Sequence, residues 1–247
     1  MISAGYKFLN VLRQLKTDFN AAGIKAEFEA EGAAYSEVKF LKNIADDIGL
    51  DFVLKISGCE AIRDLKEAYA LNINKIVAPM IESEYAFKKF IKSASKIINN
   101  AELYINTETI NGVKALDDIL KSEEAKFLSG IVFGRSDFAC SVNLSDVECQ
   151  EISAVVNDVS KKISKSGKKF ILGGGIKPQS VDFIKKIPFI TQTETRKIVF
   201  DIKNVSREAI YKAVEFEINW LEYKQTFSQY SDDEVRLQIL RSRILNI

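Results

Sequence analysis

Histidine is absent from this chain of 247 residues. Its absence excludes catalysis by Ser-His-Asp or Cys-His groups, and it excludes zinc sites built on imidazole ligands. Any proton transfer must therefore use a carboxylate, a lysine, a tyrosine, a thiol or water bound to a metal ion.

Cysteine is scarce, and so is any excess of charge. The three cysteines are odd in number and form no C-x-x-C pair, which favours a reducing, cytoplasmic setting. The net charge of +1 gives no electrostatic reason to expect a nucleic-acid partner. No apolar run is long enough to cross a bilayer, and the N-terminus lacks the apolar segment of a signal peptide. We therefore expect no membrane association.

The chain has the length of one (β/α)8 barrel, and 47% of its residues are hydrophobic. Short runs rich in β-branched and aromatic residues alternate with longer helical patterns, which predicts a parallel sheet covered on both faces. The predicted strands are residues 25–29, 52–56, 75–78, 103–106, 131–133, 170–172 and 197–201. An eighth strand at 189–192 leaves no room for a helix before 197, so a barrel must be irregular there.

The segments between the predicted strands and helices indicate the domain organisation. With three prolines and no linker or low-complexity tract, residues 1–247 are predicted to form a single α/β domain, a (β/α)8 TIM barrel. Residues 206–247 are predicted to be a C-terminal helical extension. Helices beyond those that close a barrel are expected to cap one barrel end or to pack across a subunit boundary.

Two acidic residues follow predicted strands. Glu108 closes the run 103–107, which contains the predicted strand 103–106, and Asp137 follows the run 130–134, which contains the predicted strand 131–133. Because the C-terminal ends of barrel strands meet at one mouth, these carboxylates could hold a hard divalent cation such as Mg²⁺. The simpler alternative is that each one caps the helix that follows it. Asn106 faces the same side as Glu108 and could orient a ligand there.

A lysine and several glutamates lie at the ends of the first two predicted strands. Lys55 stands among apolar residues, where an ammonium is unfavourable without an anionic partner. It could pair with a glutamate of a neighbouring strand, bind a substrate carboxylate, or form a Schiff base through a lowered pKa. Glu27, Glu29 and Glu31 crowd one strand end. They predict a cationic partner such as Lys55 or a metal, or else a solvated edge.

Two further segments carry weaker signals. Glycines 173–175 precede a helix predicted at Pro178 and could cradle a phosphate, although a tight turn is the simpler interpretation. Arg196 could bind an anion or a carboxylate at the bottom of the barrel. Its position at the start of a predicted strand favours the structural role at the bottom.

Three motifs in this order resemble the HpcH/HpaI aldolase and citrate lyase β-subunit family, within the phosphoenolpyruvate/pyruvate barrel superfamily. Ala-Pro-Met-Ile-Glu-Ser at 78–83 resembles the VPMVES-type strand end of that family. Asn-Thr-Glu-Thr at 106–109 resembles its QIET motif, and Gly-Arg-Ser-Asp-Phe at 134–138 resembles its G-x-x-D-L loop. The likeness runs from about residue 26 to about residue 142 and is weaker beyond.

The resemblance implies a metal-dependent carbon–carbon lyase or aldolase that acts on a 2-oxo acid such as pyruvate or oxaloacetate through a metal-stabilised enolate. It implies that Glu108 and Asp137 bind Mg²⁺ or Mn²⁺, and that Lys55 and Glu29 are catalytic. The implied substrate-binding residues are Lys55, Asn106, Gly134, Arg135 and Ser136, with the keto acid held by the backbone around residues 134–137. A homo-oligomer, trimer or hexamer, is implied as well.

The sequence departs from the family pattern at two positions. The usual arginine for the substrate carboxylate aligns with Lys55, which keeps the charge but loses the planar bidentate fork. The D-x-E-H-G segment aligns with residues 27–30, so Ala30 stands where the aldolases have a histidine that aids proton transfer. Two alternatives therefore stay open: a citrate-lyase-like acyl-CoA lyase, which does not rely on that histidine, and a non-catalytic ligand-binding barrel.

Overall fold

Eight strands close into a barrel in the computed structural model, which describes residues 4–226 and 232–244. The strands are β1 Gly23–Glu27, β2 Asp51–Lys55, β3 Lys75–Ala78, β4 Glu102–Thr107, β5 Leu128–Gly134, β6 Lys169–Gly173, β7 Gln192–Glu194 and β8 Ile198–Asp201. Strands β1 to β7 pair in parallel and in chain order. The predicted α/β barrel is therefore confirmed.

Helices cover the outside of this barrel. In the described ranges they are α1 Ala4–Thr17, α2 Tyr35–Ile48, α3 Ile62–Ala70, α4 Glu84–Ile97, α5 Ile110–Lys121, α6 Arg135–Ser141, α7 Gln150–Lys165, α8 Ser180–Ile184, α9 Arg207–Lys224 and α10 Asp232–Ile244. None of these helices is both long and apolar enough to span a membrane. Helix α1 was not predicted; it buries Phe8, Leu12 and Leu15.

The barrel is irregular where the sequence predicted that it must be. Only residues 195–197 separate β7 from β8, and β8 runs antiparallel to both β7 and β1. Three residues can join antiparallel strands but cannot hold the crossover helix that a parallel pair needs. Because β8 is reversed, its first residue lies at the C-terminal mouth of the barrel. The prediction that Arg196 lies at the barrel bottom is therefore wrong.

The interior of the barrel changes from apolar to charged along its axis. Alternate residues of each strand point inward, and near the bottom they form a small apolar layer. This layer consists of Val77, Tyr104, Val132 and Ile171, with Val53 packed against them. Nearer the mouth the inward positions are charged, as at Lys25 and Lys55, while the outward neighbours Ile24 and Leu54 join the main core under the helices. The barrel is thus closed by apolar side chains below and is polar at its mouth.

The predicted C-terminal extension contains α9 and α10, and its residues 227–231 and 245–247 lie outside the described residues. Helix α9 packs along α1, where the rings of Phe8 and Trp220 lie 5.4 Å apart. Helix α10 is held by Arg236, whose guanidinium donates to Glu31 and Glu217 at 2.7 Å each. Because Glu31 belongs to the segment between β1 and α2, this contact ties α10 to the barrel mouth.

Candidate active site

A cavity of about 220 Å³ opens at the C-terminal mouth of the barrel. Its charged and amide-bearing lining residues are Lys25, Glu27, Glu29, Lys55, Asn106, Glu108, Asp137, Glu194, Arg196 and Arg243. A larger cleft of about 960 Å³ lies between α2, α9 and α10. We place the candidate site in the smaller cavity because the strand-end carboxylates converge there, as catalytic residues of such barrels do.

Glu108 is 2% exposed and is fixed from two sides. Its Oε1 accepts a hydrogen bond from the backbone N–H of Met80 at 3.1 Å, and its Oε2 accepts one from Nδ2 of Asn106 at 2.7 Å. The cap of α5 is Thr109, whose hydroxyl accepts from the N–H of Gly112. The capping alternative for Glu108 is therefore wrong, and its carboxylate belongs to the cavity.

Asp137 lies in the first turn of α6 and opens to the same cavity. Asp137 is exposed to the cavity, but partial desolvation of its carboxyl raises its pKa above the ordinary range, and the charge and hydrogen bonding of nearby Glu108 raise that pKa further. The absence of a side chain at Gly134 lets Glu108 lie close to the start of α6, because a Cβ at position 134 would be only 2.9 Å from Oε2 of Glu108. Two carboxylates thus come together, and a proton or a cation between them relieves their repulsion.

These donors fit a hard divalent cation. Beside the carboxylates of Glu108 and Asp137, the buried Oδ1 of Asn106 has no hydrogen-bond partner among the described residues. Carboxylate and amide oxygens are the ligands that Mg²⁺ and Mn²⁺ prefer. Nowhere in the described ranges do three or more acidic, cysteine or histidine side chains gather as a metal cage. The arrangement therefore suits an ion held by one or two carboxylates, with water and substrate oxygens as further ligands.

Lys55 lies between two glutamates. Its Nζ is 2.7 Å from Oε2 of Glu29 and 3.5 Å from Oε2 of Glu108. Burial by itself lowers the pKa of the Lys55 ammonium, but the charges of Glu108 and Glu27 outweigh burial, so the net pKa is raised. A Schiff-base lysine needs a lowered pKa to be nucleophilic near neutral pH. The raised pKa therefore argues against the Schiff-base alternative and favours the ion-pairing and substrate-binding ones.

The predicted crowding of glutamates resolves into separate ion pairs. The pairs are Glu29 with Lys55, Glu27 with Lys25, and Glu31 with Lys197 and Arg236. The side chains of Glu27 and Glu31 are 6% and 1% exposed, so the solvated-edge alternative is wrong for both. Glu29 is 23% exposed and remains the most open of the three carboxylates.

Two charged residues deep in the cavity were missed by sequence reasoning. Nζ of Lys25 lies 2.5 Å from Oε1 of Glu194 and 3.0 Å from Oε1 of Glu27. The alternation of Lys25 and Glu27 two residues apart placed them on one face of β1 and was a usable signal. Glu194 gave no comparable signal, because the predicted eighth strand ended at residue 192 and β7 continues to Glu194.

The predicted substrate-binding residues separate into two groups. Gly134 and Ser136 line the cavity, but the side chain of Arg135 is fully buried beneath it. Its Nε donates to the carbonyl oxygens of Gly173 and Gly174, at 3.3 and 3.1 Å. The side chain of Arg135 therefore supports the glycine loop, and any role in binding the keto acid is left to its main chain.

The glycine loop is a tight turn packed against α6. Gly174 has φ of +79°, and a Cβ there would lie 2.4 Å from the backbone nitrogen of Arg135. A Cβ on Gly173 would lie 3.4 Å from Oε1 of Glu194. This close packing on a helix supports the tight-turn interpretation of glycines 173–175.

Comparison with known proteins gives a fold and no sequence relative. No protein-family model matches the sequence, and no curated protein matches it. Among solved structures, the chain is similar to a HpcH/HpaI aldolase/citrate lyase family protein from Burkholderia cenocepacia J2315. The TM-score is 0.58 at 12% identity, covering 69% of this chain and 77% of that one.

Two further structures give the same result. The HpcH/HpaI aldolase from Desulfitobacterium hafniense DCB-2 has a TM-score of 0.61 at 10% identity, over 76% of this chain and 82% of that chain. Citrate synthase SbnG has a TM-score of 0.60 at 12% identity, over 87% of this chain and 90% of that chain. At such identities the likeness establishes the fold, and at that level it confirms the resemblance to the HpcH/HpaI aldolase and citrate lyase family predicted from the three motifs.

Proposed function

We propose that this barrel is a divalent-metal-dependent carbon–carbon lyase or aldolase acting on a pyruvate- or oxaloacetate-like 2-oxo acid. The observation that carries the proposal is the meeting of Glu108 and Asp137 at the barrel mouth, beside the ammonium of Lys55. The fold shared with HpcH/HpaI aldolases supports it.

Each residue has a distinct part in this proposal. A Mg²⁺ or Mn²⁺ ion held by Glu108 and Asp137 would supply a Lewis acid that stabilises negative charge on the 2-oxo oxygen. Lys55 pairs with the substrate carboxylate as a point charge. Asn106 fixes the orientation of Glu108 through its 2.7 Å hydrogen bond.

Glu29 is the proposed proton-transfer group. In a chain without histidine this work falls to another side chain, and a partly open carboxylate in the cavity is suited to it. The contact of its Oε2 with Nζ of Lys55, at 2.7 Å, holds this carboxylate beside the proposed substrate anchor.

The second candidate is a non-catalytic barrel that binds a ligand. The contact between Lys55 and Glu108 favours it, since an ammonium 3.5 Å from Oε2 satisfies part of the charge of Glu108 without a metal. Ala30 in place of the family histidine favours it as well. A citrate-lyase-like acyl-CoA lyase would use the same metal site with a thioester as partner.

Calorimetry with Mg²⁺ or Mn²⁺ in the presence of oxalate tests the metal site, because oxalate mimics the enol form of pyruvate. Wild-type protein should bind ion and oxalate together, and Glu108→Gln and Asp137→Asn should each abolish that binding while circular dichroism stays unchanged. Asp182→Asn is the control, since Asp182 is an exposed carboxylate paired with Arg207 on the outer surface. A wild-type protein that binds neither ion, with oxalate or with pyruvate, would remove the metal mechanism.

Turnover separates the candidates once the metal site is established. Release of pyruvate or oxaloacetate from a panel of hydroxy keto acids would support the aldolase. Carbon–carbon cleavage of hydroxyacyl-CoA thioesters, with the thioester retained in one product, would support the acyl-CoA lyase. Metal binding without turnover on either panel would support the ligand-binding barrel.

We also propose a homo-oligomer, trimer or hexamer. The cleft between α2, α9 and α10 leaves Phe40, Val235 and Ile239 exposed by 39%, 60% and 50%. An apolar surface of this kind favours contact with another subunit. Sedimentation at micromolar concentration tests the assembly, and a purely monomeric species would reject it.

A further inference from the structure

Two arginines from distant parts of the chain meet the cavity at the barrel mouth. Arg196 comes from the short turn between β7 and β8, and Arg243 comes from the last turn of α10. Neither makes a hydrogen bond or an ion pair with any residue in the described ranges. Arg196 is exposed and Arg243 is partly buried, so both guanidiniums are accessible from the cavity.

The other cations of this cavity are already paired. Lys25 contacts two glutamates, and Lys55 lies 2.7 Å from Glu29. Arg243 has two other arginines as well as Glu217 nearby, and Arg196 lies near Glu27 without forming an ion pair with it. Burial lowers the pKa of Arg243, Glu217 opposes this, and the charges of Arg196 and Arg236 lower the pKa further. Repulsion between guanidiniums at a partly buried site is relieved when an anion binds between them.

Other arginines of the same helix have structural partners. Arg236 is bound to Glu31 and Glu217, and Arg241 donates to Glu222 at 2.8 Å on the outer surface. Among the described residues, the absence of a partner at Arg243 is therefore particular to the position that faces the cavity, and it is not a general property of α10.

We propose that Arg196 and Arg243 form a second anion site at the barrel mouth, which binds a carboxylate or phosphate group of the ligand. If the proposed function holds, the substrate is a 2-oxo acid, or its reaction partner, that carries a second anionic group at the end away from the metal. Planar guanidiniums present several donors in a fixed geometry that matches carboxylate and phosphate oxygens. A ligand with two anionic ends would then span from Lys55 to this site.

The first experiment needs no metal and is independent of the proposed function. Succinate and inorganic phosphate are titrated calorimetrically into wild-type protein and into Arg196→Gln, Arg243→Gln and Arg241→Gln. Wild-type protein should bind at least one of the two probes, and Arg196→Gln and Arg243→Gln should each weaken that binding about 10- to 100-fold, as for a charged hydrogen bond. The control Arg241→Gln should bind as wild type does.

The preferred probe identifies the group, a carboxylate for succinate or a phosphate for inorganic phosphate. The inference is overturned if wild-type protein binds neither probe, or if both cavity variants bind with the affinity of Arg241→Gln.

The second experiment adds Mg²⁺ and compares 2-oxoglutarate with 2-oxobutyrate, which lacks the second carboxylate. Wild-type protein should bind 2-oxoglutarate more tightly, while Arg196→Gln and Arg243→Gln should lose this preference and keep their affinity for 2-oxobutyrate. Loss of affinity for both acids to the same degree would overturn the assignment. Failure of Mg²⁺ to promote binding of either acid to wild-type protein would reject the proposed function and leave the metal-free result standing.

Discussion

The ammonium of Lys55 and the carboxylate of Glu108 are in contact, with Nζ 3.5 Å from Oε2, and both side chains are buried. Two unit charges about 4 Å apart interact by about 4 kcal/mol at an effective dielectric constant of about 20. Lys55 divides its charge between Glu108 and Glu29, so the share at Glu108 is smaller. The proposed substrate anchor and the proposed metal ligand are nevertheless coupled, and a change at one alters the other.

This coupling predicts opposite effects of Lys55→Met on two affinities. Without the ammonium, Glu108 presents a full negative charge to a cation, so Mg²⁺ and Mn²⁺ should bind more tightly, on the order of tenfold. Oxalate should bind more weakly to the metal-loaded protein, because its carboxylate loses a charged hydrogen bond that contributes about 1.5–3 kcal/mol. Calorimetry measures the two affinities separately.

Lys75→Met is the matched control for this substitution. Lys75 also lies on a barrel strand and pairs with Asp51, but it is at the opposite end of the barrel. Its removal should change neither affinity. If Lys55→Met lowers metal affinity and oxalate affinity together, Lys55 positions Glu108 and does not compete with the ion.

Asp137 should give metal binding a pH dependence. Burial, followed by the charge of Glu108, raises the pKa of the Asp137 carboxyl. A cation needs the ionised carboxylate, so Mg²⁺ affinity should begin to fall at a higher pH than an ordinary aspartate would give. Calorimetry over a pH series measures this, and Asp182→Asn should show the wild-type profile. A flat profile through weakly acidic pH would contradict the assignment.

The same raised pKa affects the stability of the metal-free protein. When the pKa of a carboxyl is higher in the folded protein than in the unfolded chain, the protonated carboxyl stabilises the fold. This stabilisation is complete at pH values below the unfolded pKa, and it is lost as the pH rises through the folded pKa. Ionised Asp137 is therefore unfavourable at neutral pH, and Asp137→Asn should be slightly more stable there in EDTA. The gain should vanish in acid, and it should be small because water reaches Asp137 through the open cavity. Urea denaturation at several pH values measures it, and an Asn variant that is less stable at neutral pH would contradict the prediction.

Much of the barrel could be predicted because each strand is a short apolar run bounded by polar turns. The β7–β8 hairpin shows where this reasoning stops. Spacing alone showed that no helix fits between the last two strands, but strand direction depends on pairing with β1, which is far away in sequence. The position of Arg196 at the mouth follows from that direction and cannot be predicted from the sequence.

The candidate site divides in the same way. Glu108, Asp137 and Asn106 could be found because each closely follows or ends a strand, and strand ends of a parallel barrel share one mouth. The pair of Lys25 and Glu194 is separated by 169 residues. Arg243 enters the cavity only because α10 is tied to the mouth. Such contacts depend on tertiary packing, which leaves no periodic signal in the sequence.

The glycine loop provides a stability prediction with an internal control. Gly174 and Gly167 both have positive φ, +79° and +70°, but only Gly174 is crowded. Gly167→Ala meets open space, so it should lose only the left-handed backbone preference, about 1–2 kcal/mol. Gly174→Ala must also displace the backbone of Arg135, so it should be clearly less stable and should weaken binding of oxalate with Mg²⁺. Urea denaturation measures both variants, and equal losses would show that the loop adjusts freely.

Lys25→Met is predicted to be the most destabilising change in the cavity. Burial by itself lowers the pKa of the Lys25 ammonium, but Glu194 and Glu27 outweigh burial and the pKa is raised. Burial raises the pKa of Glu27, but Lys25 and Lys55 outweigh it and the pKa lies well below the ordinary value. Removing the lysine leaves two buried carboxylates without their shared cation, which should lower the free energy of unfolding by about 3–5 kcal/mol at neutral pH.

The pH dependence of that loss has a definite sign. Because the pKa of Glu27 is lower in the folded protein than in the unfolded chain, ionised Glu27 stabilises the fold at pH values above the unfolded glutamate pKa. This stabilisation is lost as the pH falls through the folded pKa of about 2. The difference between wild type and Lys25→Met should thus be largest at neutral pH and should narrow below about pH 4.3, where unfolded glutamates take up protons. Lys75→Met, which breaks a more exposed pair, should lower the free energy of unfolding by no more than about 1 kcal/mol.

If Lys25→Met does not fold, the double variant Lys25→Met with Glu194→Gln should recover folding, because it removes one of the two uncompensated charges. A single variant as stable as wild type at neutral pH would show that water reaches these carboxylates and that the cavity is more open than the 6% exposure of Glu27 and Glu194 indicates.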